Sequence, residues 1–349
     1  FEQPSQQHLY RVTDWRSDTQ KKLECLSCHQ YQIREGNVTL DLPHCLYQNA
    51  YFSPSFDYYC LECLGPGIPW SGIVSTQNVN SIHIIQNNQR LREMVGEIAM
   101  PQTRTFKVEL TDGYKANVRM LLPPGYNEYE DLQYPLILHV DGTPGRRLIT
   151  DKWHLDWNTY LTSNKDYITL TIDGRANTHD RSSDIPDMTY PLGTIDSQDQ
   201  LTILRYLISS APFVNRTAIG VWGQGYGGYL ATKILMEDPE TPLCGIAVAP
   251  ISSWYLYSAP FVEKYLGSPI SHHLLYDMGD ISRKAANLRT KLFYLIHGMA
   301  DDQIPVHHSM LFAKELIEAG VNFQEQIYPD EGHELVTVKA HYYKVMEDF

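Results

Sequence analysis

The chain has 349 residues and is defined first by what it lacks. No apolar run approaches the 18 residues that a membrane-crossing helix needs, so no segment of this sequence reads as a span. There is no basic tract: 28 Lys and Arg face 41 Asp and Glu, for a formal charge of −13. Phosphate backbones repel such a chain, which argues against nucleic acid as a partner. The sequence opens at Phe1 with no basic-then-apolar leader, so no targeting segment is read; the expectation is an excised part of a longer protein. Internal repeats and low-complexity tracts are also missing. Cysteine is scarce, with six in all, and five of them fall between Cys25 and Cys63.

The most telling absence is one hydroxyl. The segment from Ile219 to Gly228 has the frame of a nucleophile elbow, G-x-S-x-G on a sharp strand-to-helix turn. Gly223 and Gly227 keep the spacing, but Gly225 stands where serine belongs. Glycine cannot attack a carbonyl, although it adopts the strained elbow angle without penalty. An acid and a base nevertheless follow in hydrolase order: Asp301 after one apolar strand and His333 after the next. Loops at the carboxyl ends of such strands assemble the site of an open α/β sheet. Ser252, Ser253 and Cys244 are the alternatives for a relocated nucleophile, and each has a simpler structural reading.

What is present supports a folded protein. Apolar residues make up 43% and charged residues 20% of the chain, enough for one large or two smaller cores. Residues 1 to about 96 read as short antiparallel strands broken by turns: Leu9–Val12, Tyr58–Cys63 ending at Gly65-Pro66-Gly67, and Ser81–Ile85. After Pro101 a hairpin is expected from Thr105 to Leu122, with a two-residue Asp112-Gly113 turn. Apolar strands then alternate with helices expected at 153–161, 196–209, 227–237, 306–319 and 334–349. That pattern implies a largely parallel sheet covered on both faces. Cys25-x-x-Cys28 and Cys60-x-x-Cys63 leave disulfides, zinc or a redox pair open, with disulfides favoured by the long spacing between the two motifs. Asn37 and Asn215 begin glycosylation triplets, which with the cysteines favour an extracellular or luminal setting.

Taken together, Leu121-Leu122-Pro123-Pro124, Asp173-Gly174-Arg175, Tyr226-Gly227-Gly228-Tyr229, Cys244 to Pro250, His297-Gly298 with Asp301-Asp302, and Asp330-Glu331 with His333 resemble the dipeptidyl peptidase IV family of prolyl-oligopeptidase-type hydrolases. Within it, Gly225 and the segment Val140 to Gly145 are similar to the catalytically inactive branch. The resemblance implies an α/β-hydrolase domain over residues 98–349, preceded by the last blades of a β-propeller over 1–97. It implies that Asp141 replaces the tyrosine whose hydroxyl helps form the oxyanion hole, and that Gln224 replaces a tryptophan. Tyr257 would match a tyrosine of the proline pocket, and Phe261 would replace another. It implies disulfides Cys25–Cys28 and Cys45–Cys63, with Cys60 and Cys244 left over, and no cofactor or metal.

It further implies a type II plasma-membrane glycoprotein anchored outside this chain, with this part extracellular. Such a protein would form homodimers, or heterodimers with family members, and act as an auxiliary subunit of Shal-type voltage-gated potassium channels. The stripe Val338, His341-Tyr342, Val345 and Phe349 is a candidate dimer surface. The alternative is a serine dipeptidyl aminopeptidase inactivated by replacement of its nucleophile. Asp141 and Gln224 speak against it, because a single knockout would leave the surrounding pocket unchanged.

Overall fold

A computed structural model describes residues 5–13, 22–35, 38–41, 44–177 and 191–349. Asn37 lies outside them. The chain divides into two compact units, one of residues 1–100 with 150–156 and one of 101–149 with 157–349.

The first unit is built around an antiparallel meander of strands Tyr47–Phe52, Tyr58–Gly65, Trp70–Ser75 and Asn78–Gln86, the form of a propeller blade. Alternation drives it: Tyr59, Leu61 and Cys63 point inward from the second strand, with Tyr58, Cys60 and Glu62 on the other face. Tyr31, Trp70, Val74 and Ile82 complete this core. Disulfides join Cys25 to Cys28 and Cys45 to Cys63, the second crossing the inner face of the meander. Cys60 and Cys244 are free thiols. His8 lies with Cys25 and Cys28 in one cluster, but the disulfide leaves no thiolate there to hold zinc.

Residues 150–156 correct the expected helix at Trp153. The Asp151 N–H donates to the Ser5 carbonyl and the Trp153 N–H to the Leu64 carbonyl, so this stretch is spent on the first unit. The helix begins only at Trp157.

The second unit holds one eight-stranded sheet: β1 (Gln102–Glu109), β2 (Lys115–Leu122), β3 (Tyr134–Val140), β4 (Ile168–Asp173), β5 (Val214–Gln224), β6 (Cys244–Val248), β7 (Leu292–Gly298) and β8 (Gln324–Tyr328). Their spatial order is β1-β2-β4-β3-β5-β6-β7-β8, with only β1 and β2 antiparallel to their neighbours. This is the α/β-hydrolase order. The β1–β2 turn is longer than two residues: the Gly113 N–H donates to the Leu110 carbonyl, and the Leu110 N–H to the Tyr114 carbonyl, leaving Gly113 at φ 84° as a three-residue turn requires.

Among the described residues, seven α-helices accompany the sheet: α1 (Trp157–Lys165), α2 (Thr194–Ser210), α3 (Tyr226–Glu237), α4 (Ala259–Leu266), α5 (Pro269–Gly279), α6 (His307–Glu318) and α7 (Lys339–Asp348). α4 and α5 lie beyond the sequence reading; Pro260 and Pro269 stand in their first turns, where proline is tolerated. Successive residues of one strand serve opposite cores. Phe293 and Leu295 of β7 join a large cluster with Leu201, Leu204, Leu230, Ile234 and Phe312, while Tyr294 and Ile296 join a smaller one with Trp157, Leu161, Trp222, Tyr342 and Met346. The carboxyl-terminal stripe is therefore committed: Tyr342 is buried, and Val338, Val345 and Phe349 pack on the chain's own smaller core. His341 accepts from the Tyr328 hydroxyl, or donates to it, at 2.8 Å. The stripe covers Trp222, Tyr294 and Tyr328 of the sheet, and His341 stays exposed.

Candidate functional site

The elbow is made by two glycines that tolerate nothing larger. A Cβ on Gly227 would lie 2.1 Å from the Val140 carbonyl oxygen, and one on Gly223 would lie 2.3 Å from that of Gly227. The backbone of α3 thus rests directly on β3 and on the end of β5. Gly225 differs. It sits at φ 61°, ψ −120°, and its N–H donates to the Val248 carbonyl at 2.9 Å. A Cβ there would meet His333 Nε2 at 3.4 Å and Ile304 Cδ1 at 3.5 Å, which is ordinary contact. Of the three alternating glycines, Gly225 alone has room for a side chain, and that side chain would point at an imidazole.

His333 and Asp301 are brought together. His333 Nδ1 lies 2.7 Å from Asp301 Oδ2. The same carboxylate accepts from the N–H groups of Gln303 and Ile304 at 2.9 and 2.8 Å. His297, fully buried at the end of β7, places Nε2 3.4 Å from Asp301 and 2.8 Å from the Ile304 carbonyl, while Nδ1 meets the Ser309 hydroxyl at 2.6 Å. Burial would raise the Asp301 carboxyl, but hydrogen bonds from His297, His333 and the Ile304 N–H outweigh it, so it lies well below the usual carboxylate range. Asp301 is an anion that fixes the imidazole's orientation, with Nε2 left toward Gly225. Gln224 secures the same loop, donating from Nε2 to the His333 carbonyl at 2.6 Å.

A cavity of about 380 Å³ opens over this pair, lined by Gly225, His333, Asp141, Tyr257, Phe261 and Gln303 among others. Asp141 follows β3 directly. Its carboxylate accepts from the Thr143 hydroxyl and, at 3.3 Å, from the Thr143 N–H, and Arg146 Nε stands 3.4 Å away. The loop carrying these groups is held from below: buried Asp173 accepts from the Leu148 and Ile149 N–H groups, both at 3.0 Å. Tyr257 and Phe261 meet edge to face at 5.5 Å and form an aromatic wall with Trp254. Burial, and then the negative Asp301, push the Tyr257 phenol up.

The alternative nucleophiles stay outside. Ser252 has 0% exposure and stands beside His308 Nδ1, itself 1% exposed, so no substrate reaches them. Burial lowers His308 to about 4, which keeps it neutral. Cys244 opens β6 away from the cavity lining, and burial raises its thiol. Sequence reasoning gave no site role to His297, which it quoted only as part of a motif, or to Arg146 and Gln303. Only His297 had a local signal, lying at the end of an apolar strand four residues before Asp301. The Asn215 side chain turns back to accept from the Thr217 N–H and hydroxyl at 3.0 and 2.8 Å, at the start of β5.

Comparison with known proteins places this geometry. The prolyl oligopeptidase family, Peptidase_S9, matches residues 153–349. Venom dipeptidyl peptidase 4 of Vespula vulgaris is 34% identical, over 99% of this chain and 43% of its own length. Inactive dipeptidyl peptidase 10 of Rattus norvegicus is 31% identical, over 92% of this chain and 38% of its own. The crystal structure of a putative dipeptidyl aminopeptidase IV from Bacteroides ovatus superposes with a TM-score of 0.77 at 25% identity, covering 86% of this chain and 42% of that one. The chain spans about two fifths of the length of the relatives it matches.

Two outcomes test the geometry. Gly227→Ala should prevent folding, because its Cβ meets backbone; Gly225→Ala should cost only the positive-φ strain, about 1–3 kcal/mol. Urea unfolding decides, and the reverse order would refute the assignment. Asp301→Asn tests the depressed carboxyl. A lowered carboxyl stabilises the fold above its ordinary pKa of about 3.9, and that stability is lost as pH falls toward the folded value. The stability gap between parent and variant should be full at pH 7 and shrink at pH 3; a gap that widens on acidification contradicts the account.

Proposed function

This chain belongs to the prolyl oligopeptidase family, and we propose that it is a non-catalytic, dipeptidyl-peptidase-like member of it. The observation that carries the reading is the 3.4 Å approach of a Gly225 Cβ to His333 Nε2. The base and its orienting acid stand where a serine would be activated, and the chain supplies no hydroxyl there. Losing the nucleophile of a triad removes about six orders of magnitude in turnover. Asp141 adds a second obstacle. A carboxylate beside the developing oxyanion raises its energy, although Arg146 shares that charge. Identity to a named peptidase and to a named inactive relative is nearly equal, so the reading rests on residues and not on overall similarity.

The same proposal extends to the whole protein. The two disulfides and the exposed Asn215-x-Thr217 triplet suit an oxidising, extracellular setting. No helix among the described residues is long and apolar enough to cross a membrane, and the anchor in this reading lies outside the chain. The resemblance to the inactive branch leads us to propose an auxiliary subunit of Shal-type potassium channels at the plasma membrane. Pairing with a second copy or a family member would then use the outward face of α7, where Lys339, Ala340 and Lys344 are exposed.

Hydrolysis of X-Pro chromogenic substrates by the complete ectodomain should be absent. Gly225→Ser alone should not restore it, and Gly225→Ser with Asp141→Tyr should exceed either single change; a fully active Gly225→Ser protein would favour the alternative of a merely inactivated aminopeptidase. Co-expression of the full-length protein with a Shal-type channel should speed inactivation and raise surface current. Unchanged currents remove the channel role, and a strictly monomeric ectodomain by light scattering removes the dimer.

A further inference from the structure

The His333–Asp301 pair is complete as a general base, and no side chain among the described residues uses it. Nδ1 is engaged by Asp301 at 2.7 Å, and Nε2 makes no hydrogen bond to any described residue. The space beside Nε2 is bounded by the Gly225 backbone and Ile304, and a Cβ built on Gly225 meets both His333 and Ile304 only at ordinary contact distance. The cavity reaches both Gly225 and His333, so water entering it comes up to Nε2, where a general base acts over about 2.6–3.2 Å. The space opens on the cavity whose apolar side is Ile251, Tyr257 and Phe261, a surface for a short acyl chain.

We propose that this site hydrolyses small activated esters, with water in place of the absent serine and without a covalent intermediate. The inference rests on the reading of Gly225 as the former nucleophile position, and it confines the non-catalytic reading to peptide cleavage. In the step, the water O–H bond breaks and its proton passes to His333 Nε2. The water oxygen bonds to the acyl carbon, and the carbonyl π pair moves onto its oxygen. Collapse of that tetrahedral species breaks the ester C–O bond and expels an aryloxide. The proton on Nε2 is released to it or to solvent. Water and ester are consumed; a carboxylic acid and a phenol are formed.

The same chemistry excludes peptides. An amine leaves only after protonation and only from a well-stabilised oxyanion, which Asp141 opposes. An aryloxide leaves unaided, so esters tolerate the weakened oxyanion site. General-base assistance contributes about 10²–10⁴-fold, so turnover should exceed the buffer rate by at least about 10²-fold.

The probe is 4-nitrophenyl acetate with the intact, disulfide-bonded chain. Phenolate release and the protein's intact mass are followed together. The expected result is linear release with no burst, no added acetyl mass, and slower release in D₂O. His333→Gln should fall to the buffer rate. Gly225→Ala, whose methyl group takes the water's place, should do the same while unfolding cooperatively. Asp301→Asn should lose at least about tenfold by freeing the imidazole's orientation. Equal rates in parent and His333→Gln, or in parent and Gly225→Ala, overturn the inference, as would a parent rate equal to buffer. The last result leaves the non-catalytic reading intact. A stable acetyl adduct on a serine overturns both, since it would reveal a nucleophile elsewhere.

Discussion

The close approach of two backbones, at Gly227 against Val140, is the constraint on which the rest of the second unit depends. It lets α3 begin directly at the end of β5, and it forces the turn through Gly225 into a left-handed conformation. That turn sets the direction of one missing side chain. It also places the α3 amino terminus, the end of β3 and the loop after β7 around one cavity. Any Cβ at Gly223 or Gly227 would part these elements, because the opposing atoms are carbonyl oxygens and cannot rotate away. The geometry therefore persists for reasons of packing, whether or not a nucleophile is present.

The survival of the acid and base has a similar cause. Asp301 caps its own loop by accepting from Gln303 and Ile304, and it links β7 through His297 to the loop carrying His333. A buried carboxylate with this many donors contributes to folding independently of catalysis, and removing one partner would leave a charge or a donor unsatisfied. Gln224 ties the His333 loop to the elbow by a separate bond. Gly225 carries no side chain to bond its neighbours, and the turn is held through its N–H on the Val248 carbonyl. A scaffold of this kind can lose its chemistry and keep its surface, which is the condition for a peptidase fold to serve in binding or regulation.

Much was legible from residue order alone. The alternation of apolar strands with helices, the glycine spacing around position 225, and the order of Asp301 and His333 all follow from local rules: periodicity, turn chemistry and the placing of site residues at strand ends. The boundaries were less legible. Trp153 begins a helical pattern, yet its N–H is claimed by the Leu64 carbonyl, and α1 starts four residues later. The stripe on α7 reads equally as a core or an interface, and only the folded structure shows that it packs on Trp222, Tyr294 and Tyr328.

Residue types and their spacing by themselves determined the class of fold, the glycine at the elbow position and the order of Asp301 and His333 after their strands, since each is a property of short segments. Tertiary structure decided the rest. It showed that Gly225 alone of the three elbow glycines has room for a side chain, that His297 helps hold Asp301, and that Asp141 is shared with Thr143 and Arg146. The approach of Gly225 to His333 joins residues distant in sequence, and the shorter-range contacts depend on side-chain directions that the folded loops set. Their energies depend on distances of a few ångströms set by sheet register and helix packing, which no local pattern encodes.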